Sequence, residues 1–168
     1  MVKLINNREI VEKLEKDDSK NIVVDTTVKT LKFVIFEVDD KTYSLPGEIV
    51  QEIVLDLPIY YLPFVPPYIR GLINRHGQPY TVVDIKTLFE KKELSARRFI
   101  IIRNREDKIS LLISEISKII NIEESSVSKI TSENNTSDYF LNSIAVNGED
   151  IPVLNIEQIL RKINSDIS

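Results

Sequence analysis

From Leu31 onward, apolar and polar positions alternate with a period of two. In LKFVIFEVDD, Phe33, Ile35 and Glu37 fall on one face and Val34, Phe36 and Val38 on the other, and the run is rich in β-branched and aromatic residues. That is the pattern of a strand. Asp39-Asp40 marks a turn into KTYSLP, Pro46-Gly47 breaks the next strand, and EIVQEIVL resumes it. Pro58, Pro63, Pro66 and Pro67 then punctuate an irregular stretch, because proline donates no ladder hydrogen bond and fixes φ. A hairpin is expected around Gly77. Asp84 follows it as a helix N-cap, with Ile85, Leu88 and Phe89 at helical spacing.

The order then repeats. Phe99 to Ile120 lies over Phe33 to Val54 at an offset of 66, matching Ser44-Leu45 to Ser110-Leu111 and Val50, Ile53 and Val54 to Ile116, Ile119 and Ile120. Tyr139 to Leu160 lies over Tyr68 to Phe89 at an offset of 71, matching Gly148 to Gly77 and Asn155 to Asp84. Many short strands with turn punctuation predict small β-barrels, here two similar ones packed together. A last helix is expected over Ile156 to Ile163, capped by Asn155 with Gln158. The polar segment from Glu123 to Asp138 reads as a long loop. Residues 1–30 read as an arm and linker in which Asn6 and Glu9 have capping-box spacing and Ile10, Val11 and Leu14 form one short apolar stripe. The organisation expected is arm 1–30, core 31–163 in halves 31–90 and 97–163, and a C-terminal tail 164–168.

Composition narrows the class. Hydrophobic residues at 42% with 29% charged describe an ordinary globular chain. No apolar run approaches the ~20 residues of a membrane-spanning helix, and the N-terminus lacks the apolar core of a secretory signal. The absence of cysteine removes disulfide and thiolate chemistry and fits the cytoplasm. A single histidine makes a transition-metal site a poor expectation. Net charge is −4, unevenly spread: residues 70–108 carry ten Lys or Arg and five Asp or Glu, residues 109–168 four and nine. Such asymmetry suits docking to charged protein surfaces and equally a scatter of solvated charge. A nucleic-acid binder would be basic overall.

Catalytic arrangements are not evident. His76 stands beside Gly77 at the expected hairpin tip, there is no G-x-S-x-G turn, and the adjacent carboxylates Asp39-Asp40, Glu123-Glu124 and Glu149-Asp150 fall in turns or loops. No cofactor loop is present among the four glycines. Interaction surfaces are better supported. Alternation through VQEI puts Glu52 on one outer face with Val50, opposed to Gln51 and Ile53. Gly71 and Gly77 bracket a strand where another backbone can approach closely, and Arg70, Arg75 and His76 supply donors along that edge. The plainer alternatives are a half-buried strand and a hairpin with solvated basic residues.

These residues resemble the CheW domain of bacterial chemotaxis adaptors. The resemblance rests on Pro67-Tyr68-Ile69-Arg70-Gly71-Leu72-Ile73-Asn74-Arg75-His76-Gly77, on Val83-Asp84-Ile85, on Val50-Gln51-Glu52-Ile53 and on Asn155 to Leu160, and it spans roughly Leu31 to Ile163. It implies a mainly β fold of two small SH3-like five-stranded β-barrels packed around a shared hydrophobic core, with short helices after Asp84 and Asn155. It also implies a non-catalytic adaptor without cofactor or metal. Such an adaptor couples the cytoplasmic tips of transmembrane chemoreceptors to the regulatory domain of a CheA-type histidine kinase, in arrays at the inner face of the membrane. The receptor-facing positions implied are Val50, Glu52, Gly71, Asn74, Arg75, His76 and Gly77. No kinase contact is implied residue by residue.

The chain departs from the family pattern at Arg75-His76, where Leu-Arg is usual, at Thr81, where proline is usual, and at Ser143, where glycine is usual. An imidazole is mostly uncharged near neutral pH, unlike the guanidinium it replaces, so an altered receptor preference or weaker receptor binding is expected. Two rivals stand beside this reading. One is a CheW-like coupling protein of another two-component pathway, serving pili or development. The other is a small-barrel enzyme or nucleic-acid binder, which would show convergent titratable groups near His76 or a continuous basic stripe.

Overall fold

The computed structural model describes residues 27–130 and 137–168. The arm expected over residues 1–30 lies almost wholly outside the described residues, as does the centre of the segment 123–138. Among the described residues, eleven strands and two α-helices follow in order: β1 Thr30–Val38, β2 Lys41–Pro46, β3 Val50–Leu55, β4 Ile69–Arg75, β5 Gln78–Val83, α1 Ile85–Glu90, β6 Arg98–Ile102, β7 Ile109–Ile113, β8 Glu115–Glu123, β9 Val127–Lys129, β10 Phe140–Val146, β11 Glu149–Leu154 and α2 Ile156–Ile167. They form two sheets, one ordered β8-β1-β2-β11-β10-β9 and the other β3-β6-β7-β5-β4.

The fold class is the expected one, but the sheets are not the two sequence halves. Pro46 ends β2, and a 3-10 turn over Gly47–Ile49 redirects the chain. β3 therefore leaves its own half and pairs antiparallel with β6, while β8 pairs with β1. Each sheet takes strands from both halves, so the two barrels are each built from halves 31–90 and 97–163 interleaved.

The pairing pattern carries both offsets. Val34↔Leu45 in one sheet corresponds to Ile100↔Leu111 in the other, Val34↔Ile119 to Ile53↔Ile100, and the parallel pair Val153↔Ser44 to Val82↔Ser110. Irregularities fall at matching places too, between Ile69 and Gly71 and between Phe140 and Asn142. Ser44 and Ser110 are both fully buried, and their hydroxyls donate to the carbonyls of Pro152 (3.1 Å) and Thr81 (3.4 Å). Each satisfies its polar atom across the parallel seam.

One sheet has six strands where five are expected. β9 is the addition, a three-residue strand inside the segment read as loop. Its counterpart in the other sheet is a single bridge between Tyr60 and Leu72. The four prolines between Pro58 and Pro67 leave no continuous run of donors there, so pairing stops at one residue. α2 also runs past the expected end at Ile163, and only Ser168 remains beyond it. Asp166 holds that last turn in place: it accepts from Tyr68 Oη and from Lys162 Nζ, each at 2.8 Å.

The core explains the apolar runs. Phe99–Ile102 and Ile109–Ile113 are buried on both faces. Burying such side chains contributes about 1.5–3 kcal/mol each, so these central strands read as continuous apolar segments. A shared core joins Phe36, Tyr43 and Leu45 of the six-stranded sheet to the five-stranded sheet, α1 and α2. Phe33, Ile35, Ile122, Ile144, Ile151 and Val153 form a second cluster within the six-stranded sheet. β1 thus feeds one core from each face. Aromatic packing bridges the layers, with Tyr43 stacked on Phe140 (centroids 6.1 Å apart) and Phe89 against Tyr139 at 5.4 Å.

Candidate functional site

β3 and β4 are the two edge strands of the five-stranded sheet. A bidentate side-chain pair brings these edges together. Arg75 Nε donates to Glu52 Oε2 at 3.1 Å while Arg75 Nη2 bonds Glu52 Oε1, a bidentate pair. Gln51 Nε2 reaches Tyr80 Oη at 3.5 Å. The sheet therefore curls until its edges meet, and the seam carries Glu52 and Arg75 of the residues implied by the resemblance. The hydrogen bond from Arg75, aided by its charge and more weakly by His76, holds the Glu52 carboxyl below the ordinary glutamate range.

The hairpin tip is built from four consecutive residues. Arg75 pairs with Gln78, leaving His76 (φ 53°) and Gly77 (φ 77°) as the two turn residues. Positive φ at both is what a tight type I′ hairpin turn requires. The Gly77 N–H donates to Asn74 Oδ1 at 3.0 Å, so Asn74 stabilises the turn with its own side chain. Asn74, His76 and Gly77 are exposed.

Other expected positions are placed differently. Val50 does not share an outer face with Glu52. A bulge between them leaves Gln51 unpaired with β6, Val50 packs against the shared core, and Gln51, Ile53 and Leu55 are the exposed residues of β3. Gly71 is buried. Its φ is 132°, and a Cβ there would stand 2.2 Å from the carbonyl oxygen of Tyr60, so its glycine serves the Tyr60–Leu72 bridge rather than an open surface. Arg70 is not an edge donor either. Its Nη1 bonds Asp84 Oδ2 at 3.0 Å and the carbonyl of Leu94 at 3.3 Å.

Asp84, fully buried, is a hub that caps α1. Its Oδ1 accepts from the Thr87 N–H (3.1 Å), and its Oδ2 accepts from Thr87 Oγ1 (2.9 Å), the Leu94 N–H (2.9 Å) and Arg70. The structure thus brings Glu52, Arg75, Asn74, His76 and Gly77 together and sets Gly71 and Arg70 to internal tasks. Sequence reasoning passed over Tyr60, Tyr61 and Phe64, which are 58%, 81% and 104% exposed. The available signal was the run Leu57–Ile69, which holds no charged residue.

Among the described residues, no cluster of three or more His, Asp or Glu side chains offers a metal site. No helix among them is long and apolar enough to cross a membrane.

Two small β-sheets that share a core, with a hydrogen-bonded seam and an exposed turn, define a mainly β domain of small barrels. The CheW-like domain family model matches residues 32–164, and the chain belongs to that family. The chemotaxis protein CheW of Helicobacter pylori (strain ATCC 700392 / 26695) is 22% identical over 154 residues, covering 88% of this chain and 92% of that one. CheW of Bacillus subtilis (strain 168) is 29% identical over 99 residues, covering 57% of this chain and 64% of that one. Among solved structures, the scaffolding protein TtCheW from Thermoanaerobacter tengcongensis superposes with a TM-score of 0.67 at 24% identity, covering 76% of this chain and 90% of that one.

Proposed function

We propose that this protein is a non-catalytic adaptor that couples transmembrane chemoreceptors to a CheA-type histidine kinase at the inner face of the membrane. Membership of the CheW-like family supports the role, and the seam between β3 and β4 supports its location. The observation that carries the reading is the Glu52–Arg75 pair beside the exposed Asn74–Gly77 turn. It presents a fixed hydrogen-bonding edge to a receptor tip.

Receptor preference is altered in this chain because Glu52 does not stand alone. Arg75 occupies both of its oxygens, so a receptor meets a paired carboxylate rather than a bare one. A basic receptor residue must then compete with Arg75, while a neutral or apolar one need not.

Titration calorimetry of the protein against the isolated regulatory domain of its cognate kinase, and separately against a receptor cytoplasmic fragment, tests the role. Saturable binding to both is expected. No heat with either partner at high micromolar concentration overturns it. Replacing Arg75→Leu, which frees the Glu52 carboxylate, and separately His76→Arg tests the preference across a panel of receptor fragments, and unchanged relative affinities in both would sink that part.

A further inference from the structure

The aromatic loop between β3 and β4 has no role in the seam. Pro63 and Phe64 form a turn in which Phe64 has φ 60°. Glycine or asparagine takes that backbone readily, whereas a bulky side chain is strained there. Phe64 is nevertheless fully exposed, and Tyr61 is 81% exposed. A strained backbone that presents a phenyl ring to solvent gives nothing to the fold of this domain. The loop is also held in place. The Tyr60 N–H donates to the Leu72 carbonyl at 2.7 Å and the Leu72 N–H returns to Tyr60 at 2.8 Å, while the Ile69 N–H donates to the Pro66 carbonyl at 2.9 Å.

Charge specifies what fits. Leu57–Ile69 contains no Lys, Arg, Asp or Glu. The charges at its base are matched within the chain: Asp56 with Arg97 at 3.4 Å, and Arg70 with Asp84 at 3.0 Å and Glu93 at 3.6 Å. A complementary surface is therefore apolar and uncharged. A membrane surface is disfavoured, because the loop offers no cation to anionic headgroups and the chain is net negative. Position separates the loop from the candidate receptor edge. It leads into Ile69 at the start of β4, whereas the His76 turn follows Arg75 at its end. At ~3.4 Å per residue the two ends of β4 lie roughly 20 Å apart.

We infer that Phe64, flanked by Tyr61, is a preorganised anchor that inserts into an uncharged apolar pocket of a second protein, bound at the opposite end of β4 from the receptor. This rests on the coupling reading above, under which that protein is the kinase through its regulatory domain. Aromatic anchors in rigid loops dominate interface energies because little conformational freedom is lost on docking.

The test uses the intact protein and its Phe64→Gly variant, which relaxes the turn and so keeps the fold. Each is titrated with the kinase regulatory domain, with the receptor fragment, and with phosphatidylglycerol vesicles. Phe64→Gly should weaken kinase binding about tenfold or more and leave receptor binding unchanged. Wild-type kinase affinity should change little with added salt. Kinase binding equal to wild type overturns the anchor, as does loss confined to the receptor. Vesicle binding that depends on Phe64 overturns it in favour of a lipid surface. Wild-type protein silent toward both proteins refutes the coupling reading itself, an outcome visible before any variant is compared.

Discussion

Glu52 and Arg75 lie on the two outermost strands of a five-stranded sheet, yet their side chains form a bidentate pair. A pair joining neighbouring strands only adds to an existing ladder, whereas this one ties the two edges together. Because Arg75 holds the Glu52 carboxyl below its ordinary range, the folded protein binds fewer protons there than the unfolded chain. The stabilisation is present above the unfolded glutamate pKa of about 4.3 and is lost as pH falls through the lowered folded value. Urea midpoints measured from pH 7 to pH 3 should fall more steeply for wild type than for Arg75→Leu. Parallel profiles would show that the pair contributes nothing to closure.

Asp84 is more deeply committed. Asp84→Ala strips partners from the Thr87 and Leu94 N–H groups and from the Arg70 guanidinium in a buried setting. The expected loss is about 3 kcal/mol, read from denaturant unfolding. A loss below about 1 kcal/mol would mean that water replaces the carboxylate.

The glycines separate space from backbone conformation. At Gly71 a Cβ meets the Tyr60 carbonyl oxygen at 2.2 Å, while at Gly148 (φ 82°) nothing lies within 4 Å. Gly148→Ala should cost about 1 kcal/mol, the penalty for a left-handed residue alone. Gly71→Ala should cost at least about 2 kcal/mol more, because the Tyr60–Leu72 bridge must also part. Similar losses at both sites in thermal melts would contradict the close approach.

Tyr68 is raised well above the ordinary phenol range by burial and by its hydrogen bond to Asp166. The folded state then keeps a proton that the unfolded chain gives up above its pKa of about 10, so this contribution to stability is lost as pH rises beyond 10. Absorbance titration of the native protein should show Tyr68, and with it Tyr43, which burial also raises, ionising later than the exposed tyrosines. Tyr68→Phe should reduce that lag by one tyrosine and increase amide exchange over residues 164–167 of α2.

Much of this architecture was legible locally. The alternation through β1, the buried runs of β6 and β7, and the caps Asp84 and Asn155 each depend on neighbours within a few residues. The Asn74–Gly77 turn was legible for the same reason, since asparagine and glycine in that spacing make it without distant help. β9 was missed because Val127–Lys129 is three residues long with two of them polar, and only β10 makes it a strand. The end of α2 was misplaced because its last turn depends on Tyr68, nearly a hundred residues away. Arg70 and Arg75 read alike as edge donors, yet one turns to a buried carboxylate and the other closes a sheet.

By itself, the sequence determined the strand and helix periods, the two echoes at offsets of 66 and 71, and the residues that resemble a known adaptor domain. These follow from side-chain chemistry at fixed spacing along one chain. Only the tertiary structure decided that the halves interleave, that Glu52 is met by Arg75, that Gly71 lies beneath Tyr60, and that Phe64 stands clear of the surface. Strand partners are chosen by burial and hydrogen bonding across distant segments, and a one-dimensional pattern states which face a residue prefers without stating what it will meet there.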